Sequence, residues 1–338
     1  MTETDWSLDP SVSAELFQRL LQARSVLLPT HQNADADSLG SALSLVHALR
    51  AREVQATALV SDGQMPKSLA FLPGIETVAV YGVDPLPDYD LICMVDCSDR
   101  KRLGAFYTDE PDRVSGDIPI LNIDHHTTND HFGIINVVIP TAASTAEIVA
   151  RLMQQWGVRY STDIAQCLLA GIWGDTLGLR TDATTSRTMR TAAALVDAGA
   201  KPAAITDALF NLKPVSTVCL WEHALREVQW TGALIWTEIT KQTLQLCNAE
   251  PAEAEGIVNF LTGTDGSRAG AILHESDNGW RVSLRSLSAE VDVAAITAEF
   301  GGGGHPRAAG CQLKGGAAEK QAFLDRVAAR IALPSGAR

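Results

Sequence analysis

Residues 118–126 read Ile-Pro-Ile-Leu-Asn-Ile-Asp-His-His. The run 118–123 is apolar without alternation, which marks a short strand buried on both faces of a sheet. It ends on Asp124, so one carboxylate and two imidazoles, His125 and His126, fall at the rim of that sheet. Two other stretches repeat the arrangement. Ser25-Val-Leu-Leu-Pro-Thr30 leads into His31-x-Asn33-x-Asp35-x-Asp37, and Leu91-Ile-Cys-Met-Val95 ends on Asp96. Ligands of open parallel sheets bind just past the carboxyl ends of the strands, where these three clusters lie.

Outward from that centre the chain alternates strands with helices. Strands are expected at 25–30, 54–60, 91–95, 118–123 and 134–138. Helical periodicity covers 11–24, 38–52, 144–157, 162–173 and 185–198. The pattern predicts an α/β domain with a mainly parallel sheet flanked by helices. Near residue 200 it changes: Gly199-Ala-Lys-Pro202 and Lys213-Pro214 break it. The expected division is a domain over 1–198, a connector over 199–216 and a smaller α+β domain over 217–338. In the latter, strands are expected near 228–238, 269–275 and 280–286, with helices near 252–262, 292–300 and 317–331.

Composition narrows the function. The chain has 338 residues, enough for two domains, and a formal net charge of −13. That charge disfavours a sequence-independent grip on duplex DNA, which needs a basic face. No run of about 18 apolar residues suggests a membrane span, and the acidic start Met-Thr-Glu-Thr-Asp-Trp does not resemble a signal peptide. Six cysteines, none in a C-x-x-C pair, are expected as buried free thiols. Together these point to a cytoplasmic protein.

The clusters suit hard divalent cations. His31, Asp35 and Asp37 offer an imidazole and two carboxylates within seven residues, a set that Mn²⁺ or Mg²⁺ favours. Their shared parity would turn them to one side of an extended segment; an Asp-rich turn capping a helix at Ser38 explains the same residues. Asp96 is a lone acid whose two oxygens could bridge two metals. Adjacent residues of an extended chain point apart, so His125 and His126 are expected to divide their work between metal and substrate. Asp175, in Gly171-Ile-Trp-Gly-Asp175-Thr, follows a helix and has small neighbours. In the second half, Gly301-Gly-Gly-Gly-His305-Pro-Arg307 lets backbone amides of Gly302, Gly303 and Gly304 approach an anion. Alternation in Val282-Ser-Leu-Arg-Ser puts Ser283 and Arg285 on one face.

Asp124-His125-His126, with the clusters at 31–37, 96 and 175 and the later Gly302-Gly-Gly-His-x-x-Ala-Ala-Gly310, resembles the DHH–DHHA1 phosphoesterases, most closely the nanoRNase/pAp-phosphatase branch. The resemblance covers roughly residues 14–330. It implies two Mn²⁺ ions, with Mg²⁺ or Co²⁺ as alternatives. His31, Asp35 and Asp96 would hold one. Asp37, Asp96, His125 and Asp175 would hold the other, with Asp96 bridging. It further implies that His126 touches the scissile phosphate, that Asp124 orients the histidines, and that Ser283, Arg285, Gly302, Gly303, Gly304 and His305 bind the rest of the nucleotide. The active site would lie in the cleft between the domains. Expected substrates are short RNA such as pApA or pGpG and 3′-phosphoadenosine 5′-phosphate, hydrolysed by a protein that is a homodimer in this family. A cyclic dinucleotide phosphodiesterase, an inorganic pyrophosphatase or exopolyphosphatase, and a weakly hydrolytic nucleotide-binding module are the alternatives. The chain departs from the family pattern at Ala34 and Ala36, where Pro and Gly are common, and at Gly174, where Thr is common.

Overall fold

Six parallel strands form the first sheet, in the order β3-β2-β1-β4-β5-β6. They are β1 (Ser25–Pro29), β2 (Gln55–Val60), β3 (Ala79–Val80), β4 (Leu91–Val95), β5 (Ile120–Asp124) and β6 (Ile135–Val138). The coordinates are a computed structural model that describes residues 8–332 except 62, 87, 117, 212, 255 and 289. The acidic stretch 1–6 lies outside the described residues. Helices of this unit are α1 (Pro10–Gln22), α2 (Ala36–Arg50), the short α3 (Ala105–Asp109) and α4 (Pro111–Ser115), α5 (Thr145–Gln155), α6 (Thr162–Asp175), α7 (Ser186–Asp197) and α8 (Pro202–Thr206).

The unbroken apolar runs have the cause assigned to them. Successive strand residues feed two separate cores. Val26, Leu28, Cys93, Val95, Leu121 and Ile123 pack with α2, α5 and α6. Leu27, Leu59, Ile92, Met94 and Ile120 pack on the other face with Phe106 of α3. The strand order reverses between β1 and β4, so the crevice beyond their carboxyl ends is the topological switch point of the sheet. His31 follows β1 by two residues and Asp96 follows β4 directly.

The chain divides into two compact units, Met1–Leu212 and Lys213–Arg338. The break falls inside the expected connector 199–216, and most of that stretch is ordered helix. α8 packs on α6, and a π-helical turn over Asp207–Asn211 continues it. Pro202 starts α8 instead of ending structure, because a proline at the first helical position lacks only an amide that would be unpaired anyway.

The second unit holds a six-stranded sheet in the order β11-β12-β10-β9-β8-β7. Its strands are β7 (Gln229–Thr231), β8 (Leu234–Ile239), β9 (Ala269–Ser276), β10 (Gly279–Arg285), β11 (Gly303–His305) and β12 (Ala308–Lys314). Only β8 and β9 pair in parallel. The helices are α9 (Val215–Arg226), α10 (Lys241–Cys247), α11 (Ile257–Thr262), α12 (Val293–Ala298) and α13 (Ala317–Ile331). The expected strand 228–238 is a hairpin turning at Gly232, which has φ 62°. Cys219 on α9 and Cys247 on α10 are disulfide-bonded, which corrects the expectation of six free thiols. Two helices 28 positions apart in sequence bring them together, a proximity that spacing does not reveal. Cys93, Cys97, Cys167 and Cys311 are free and buried. The bridge withdraws the support that cysteine usage lent to a reducing compartment. No helix among the described residues is long and apolar enough to cross a membrane.

Candidate two-metal centre

Asp96 is the hub. It is 2 % exposed and holds a left-handed backbone, φ 58°, which an Asp tolerates better than most residues. One carboxylate oxygen, Oδ2, lies 3.4 Å from His31 Nε2, and the other, Oδ1, lies 3.4 Å from His125 Nε2. His31 Nε2 is also 3.6 Å from Asp35 Oδ2, and His125 Nε2 is 3.2 Å from Asp175 Oδ2. Two ligand sets result, His31/Asp35/Asp96 and Asp37/His125/Asp175, with Asp96 facing both. The ends of β1, β4 and β5 and the helices α2 and α6 bring together all six expected ligand residues.

Local structure explains each position. Asp35 is the N-cap of α2: its carboxylate accepts from the amides of Asp37 and Ser38 while one oxygen remains near His31. The capping explanation therefore holds, and it leaves the second oxygen of Asp35 beside His31. Shared parity does not place Asp37, because the extended segment ends at Asp35 and Asp37 sits in the first turn of α2. Asp37 is fully buried and reaches the centre from the helix. It accepts from Thr145 N at 2.7 Å and Ala146 N at 2.8 Å, the free amides at the start of α5. Thr145 Oγ1 also donates to Asp96 Oδ1 at 3.1 Å.

Asp37 and Asp175 come from α2 and α6, which approach closely because of glycine. A Cβ at Gly171 would stand 2.6 Å from Ala146 Cβ and 2.8 Å from Asp37 Oδ1. A Cβ at Gly174 would stand 3.0 Å from Ala36 Cβ. The departures at positions 36 and 174 are thus neighbours: the methyl of Ala36 occupies the space that a side chain at 174 would need.

His125 and His126 do not point apart. β5 ends at Asp124, so strand alternation no longer governs them, and His126 Nδ1 also comes within 3.6 Å of Asp96 Oδ1. Their partners still differ. His126 Nδ1 makes a 2.7 Å hydrogen bond with Asp124 Oδ1 and its Nε2 lies 3.3 Å from Arg102 Nη1. Asp124 is fully buried and accepts from His125 N at 2.8 Å and from Asn129 Nδ2 at 2.7 Å. Asn129 is itself tied to Asn122 and to the Cys97 carbonyl. Asn122, Asn129 and Arg102 are contributors that the sequence did not single out; the Asn122 position inside an apolar strand was the available signal.

The electrostatics match a cation site. Burial, then the charges of Asp96 and Asp175, hold the Asp37 carboxyl well above its usual range. Asp175 is pushed up to about 7, by burial first and Asp96 next. Burial would lower both histidines, but Asp35 and Asp96 carry His31 up to about 10, and Asp96, Asp37 and Asp175 carry His125 up to about 10. Burial works to raise Asp96 too, yet hydrogen bonds from His125 and His31 hold it below the usual carboxylate range. The carboxylates repel one another, and protons on the histidines offset them in the absence of ions. Four carboxylates and two imidazoles fit two divalent metals in both donor type and charge.

The chain matches the family model described as the DHH family, N-terminal domain, over residues 25–172, and the DHHA1 domain over residues 241–333. It is 34% identical over 295 residues to the bifunctional oligoribonuclease and PAP phosphatase NrnA of Thermus thermophilus, covering 86% of this chain and 84% of that protein. It belongs to the DHH family, with a DHHA1 domain. Among solved structures, this DHH protein superposes on an exopolyphosphatase-related protein from Bacteroides fragilis with a TM-score of 0.87, at 22% identity, over 97% of this chain and 98% of the other. RecJ of Thermus thermophilus in complex with Mn²⁺ matches with a TM-score of 0.55 and 16% identity, over 95% of this chain and 54% of that one.

In the DHHA1 unit, Ser283, Arg285 and Gly303 line a cavity of about 480 Å³. Register places them: Arg285 pairs with Ala308 and Ala308 with His305, while Ser283 pairs with Gly310 and Gly310 with Gly303. Directly paired residues share a face, so Ser283, Arg285 and His305 lie on one side, opposite the buried Val282 and Leu284. The glycine run is not an open amide nest. The Gly302 amide donates to Thr297 O, and Cβ atoms at Gly302 and Gly304 would stand 2.2 Å and 2.4 Å from the carbonyls of Gly310 and Ala308. Close strand pairing requires those two glycines. Gly303, Gly304 and His305 form the edge strand of the sheet, next to the cavity.

Proposed function

We propose that this protein is a two-metal phosphoesterase that hydrolyses short nucleotides to mononucleotides. Its substrates in this reading are RNA dinucleotides or slightly longer nanoRNA, such as pApA or pGpG, and 3′-phosphoadenosine 5′-phosphate. The single observation that carries it is the Asp96 carboxylate, which turns one oxygen to each of two ligand sets. The oligoribonuclease and PAP phosphatase activities for which the Thermus relative is named support the substrate class.

His31, Asp35 and Asp96 would hold one ion, and Asp37, Asp96, His125 and Asp175 the other; Mn²⁺ is the ion we favour over Mg²⁺ and Co²⁺ because imidazole and carboxylate are mixed in each set. Ions held there would supply positive charge to offset that of the phosphate and would lower the pKa of a water toward neutrality. The chain's own groups do the rest. Asp124, held by Asn129, fixes the His126 ring through Nδ1, so Nε2 is the atom presented to substrate. His126 would contact the scissile phosphate and help protonate the leaving oxygen. Arg285, Ser283 and His305 would hold the remaining phosphate and sugar of the nucleotide. Duplex DNA is a poor substrate for a chain of net charge −13. In this reading the protein works in the cytoplasm, as a homodimer.

The test is product analysis. Purified protein is incubated with Mn²⁺ and, separately, pApA, 3′-phosphoadenosine 5′-phosphate and pyrophosphate, beside a His125→Ala variant. AMP from either nucleotide, lost in the variant, is the expected result. Cleavage of pyrophosphate alone would replace the proposal with a pyrophosphatase, and no turnover of any of the three would leave a binding module.

A further inference from the structure

Beside the candidate metal centre, within the first unit, lies a second concavity. It has a volume of about 590 Å³, within the roughly 300–1,000 Å³ of small-molecule sites. Arg100, Lys101, Arg102, Tyr107 and Phe132 line it, with Gln32 at the edge. Three successive cations are unusual in a chain with 27 basic and 40 acidic residues. They are held in a 3-10 turn over Arg100–Leu103, which Asp99 caps by accepting from Lys101 N at 2.7 Å. That carboxylate is therefore committed to the backbone of the turn. Asp130, exposed, is the other acid on the wall.

Two contacts join this pocket to the catalytic groups. Arg102 Nη1 lies 3.3 Å from His126 Nε2, the atom that faces substrate. The Arg102 carbonyl accepts from Gln32 N at 2.6 Å, which ties the turn to the residue following His31. The aromatic walls are anchored by neighbouring groups. Tyr107 and Phe132 pack partly on the core that contains Phe106, and Arg100 lies over the Phe132 ring at 5.5 Å and donates to its carbonyl at 2.8 Å. Fixed cations beside half-buried aromatic faces are the combination that binds a nucleotide without reading its sequence, by pairing phosphate and stacking the base.

We propose that this pocket is the subsite for the second nucleotide of a dinucleotide, with Arg102 at its inner edge contacting the phosphate beside His126 and Tyr107 and Phe132 receiving the base. This rests on the phosphoesterase reading and extends it: a one-nucleoside substrate such as 3′-phosphoadenosine 5′-phosphate leaves the pocket empty, while pApA fills it.

The test compares the full-length Mn²⁺-loaded protein with Tyr107→Ala, Phe132→Ala and Lys101→Glu on both substrates. Lys101 is exposed, so its variant perturbs the pocket without loosening the core. The ratio of kcat/KM for pApA to that for 3′-phosphoadenosine 5′-phosphate should fall by about tenfold or more, chiefly through KM for pApA. Parallel losses on both substrates, or an unchanged ratio, overturn the proposal. If the native protein turns over neither substrate, the phosphoesterase reading fails by itself, and calorimetry with Ca²⁺ in place of Mn²⁺ still decides the pocket. Tighter binding of pApA than of 3′-phosphoadenosine 5′-phosphate, lost in Lys101→Glu, supports it. Equal affinities, or a pocket that responds to inorganic phosphate alone, reject it.

Discussion

Gly171→Ala would add one methyl group where α5, α6 and the Asp37 carboxylate meet. The new Cβ would stand 2.6 Å from Ala146 Cβ and 2.8 Å from Asp37 Oδ1, whereas ordinary contact begins at 3.4 Å. No flexible side chain can yield there. Ala146 has no rotamers, and its amide and that of Thr145 clamp Asp37. Helix propensity favours Ala over Gly by about 1 kcal/mol, but overpacking a filled core costs about 1–3 kcal/mol, so a net loss of up to about 2 kcal/mol is expected. The functional loss should be larger than the stability loss. Relief of the clash needs a shift of about half an ångström in Asp37, the tolerance within which a catalytic group must be held. A drop in kcat/KM of about tenfold to a hundredfold follows. The assay is Mn²⁺-dependent hydrolysis of pApA, paired with thermal melts with and without Mn²⁺. The variant should melt lower and need more Mn²⁺ for half-maximal rate. Native Mn²⁺ dependence in a folded Gly171→Ala protein would refute the argument that this glycine sets the position of Asp37.

Three further outcomes follow from the same geometry. Asp175, His31 and His125 all keep a proton in the folded metal-free protein to a higher pH than in the unfolded chain: up to about 7 against 3.8, and up to about 10 against 6.5. Stability of the chelated protein should therefore fall as pH rises from about 4 to about 10, because the unfolded state binds fewer protons throughout that window. Mn²⁺ competes with those protons, so the rise in melting temperature on adding Mn²⁺ should be greater near about pH 8.5 than near about pH 5.5; a pH-independent increment would count against these residues as ligands. Asn129→Ala should leave Asp124 short of one hydrogen bond and lower kcat by about tenfold or more with little change in KM, read in steady-state kinetics, while equal activity would remove Asn129 from the positioning of His126. Gly174→Thr should destabilise the protein on its own and be partly rescued by Ala36→Gly, with a coupling of about 1 kcal/mol in a double-mutant cycle of melts, whereas additive effects would show that the two positions do not share space.

The strand-end clusters were legible because burial on both faces leaves a signature that survives in sequence. An unbroken apolar run ending on a polar ligand type is what a parallel strand with a ligand at its carboxyl end looks like; β4 and β5 end on Asp96 and Asp124, and β1 runs through Thr30 into His31. Asp37 and Asp175 were legible only as acids near small residues. Their nearness depends on how closely α2 and α6 approach, and that distance is set by Gly40 and Gly171, whose effect is purely three-dimensional. In the second unit, β11 and β12 were missed. Gly303-Gly-His is too short and glycine-rich to register as a strand, and Ala308–Lys314 alternates small residues because the neighbouring glycine strand approaches so closely. Arg102 went unremarked because it lies in a charged loop, where a phosphate contact and a solvated cation look alike until the 3.3 Å approach to His126 is known.

The arrangement also explains why the hub is an acid that stays ionised while its neighbours resist ionising. Asp96 faces two imidazoles and a hydroxyl, so its charge is shared by donors on three sides. Asp37 and Asp175 face Asp96, and each pays for that proximity with a raised carboxyl. A mutation that neutralises Asp96 should let Asp37 and Asp175 fall toward their usual range, but it also strips His31 and His125 of the charge that holds their protons, so the metal-free protein should melt lower at neutral pH. Stability and metal capacity are therefore lost together at this position, and an Asp96→Asn protein that melts as high as the native chelated protein at neutral pH would refute that coupling.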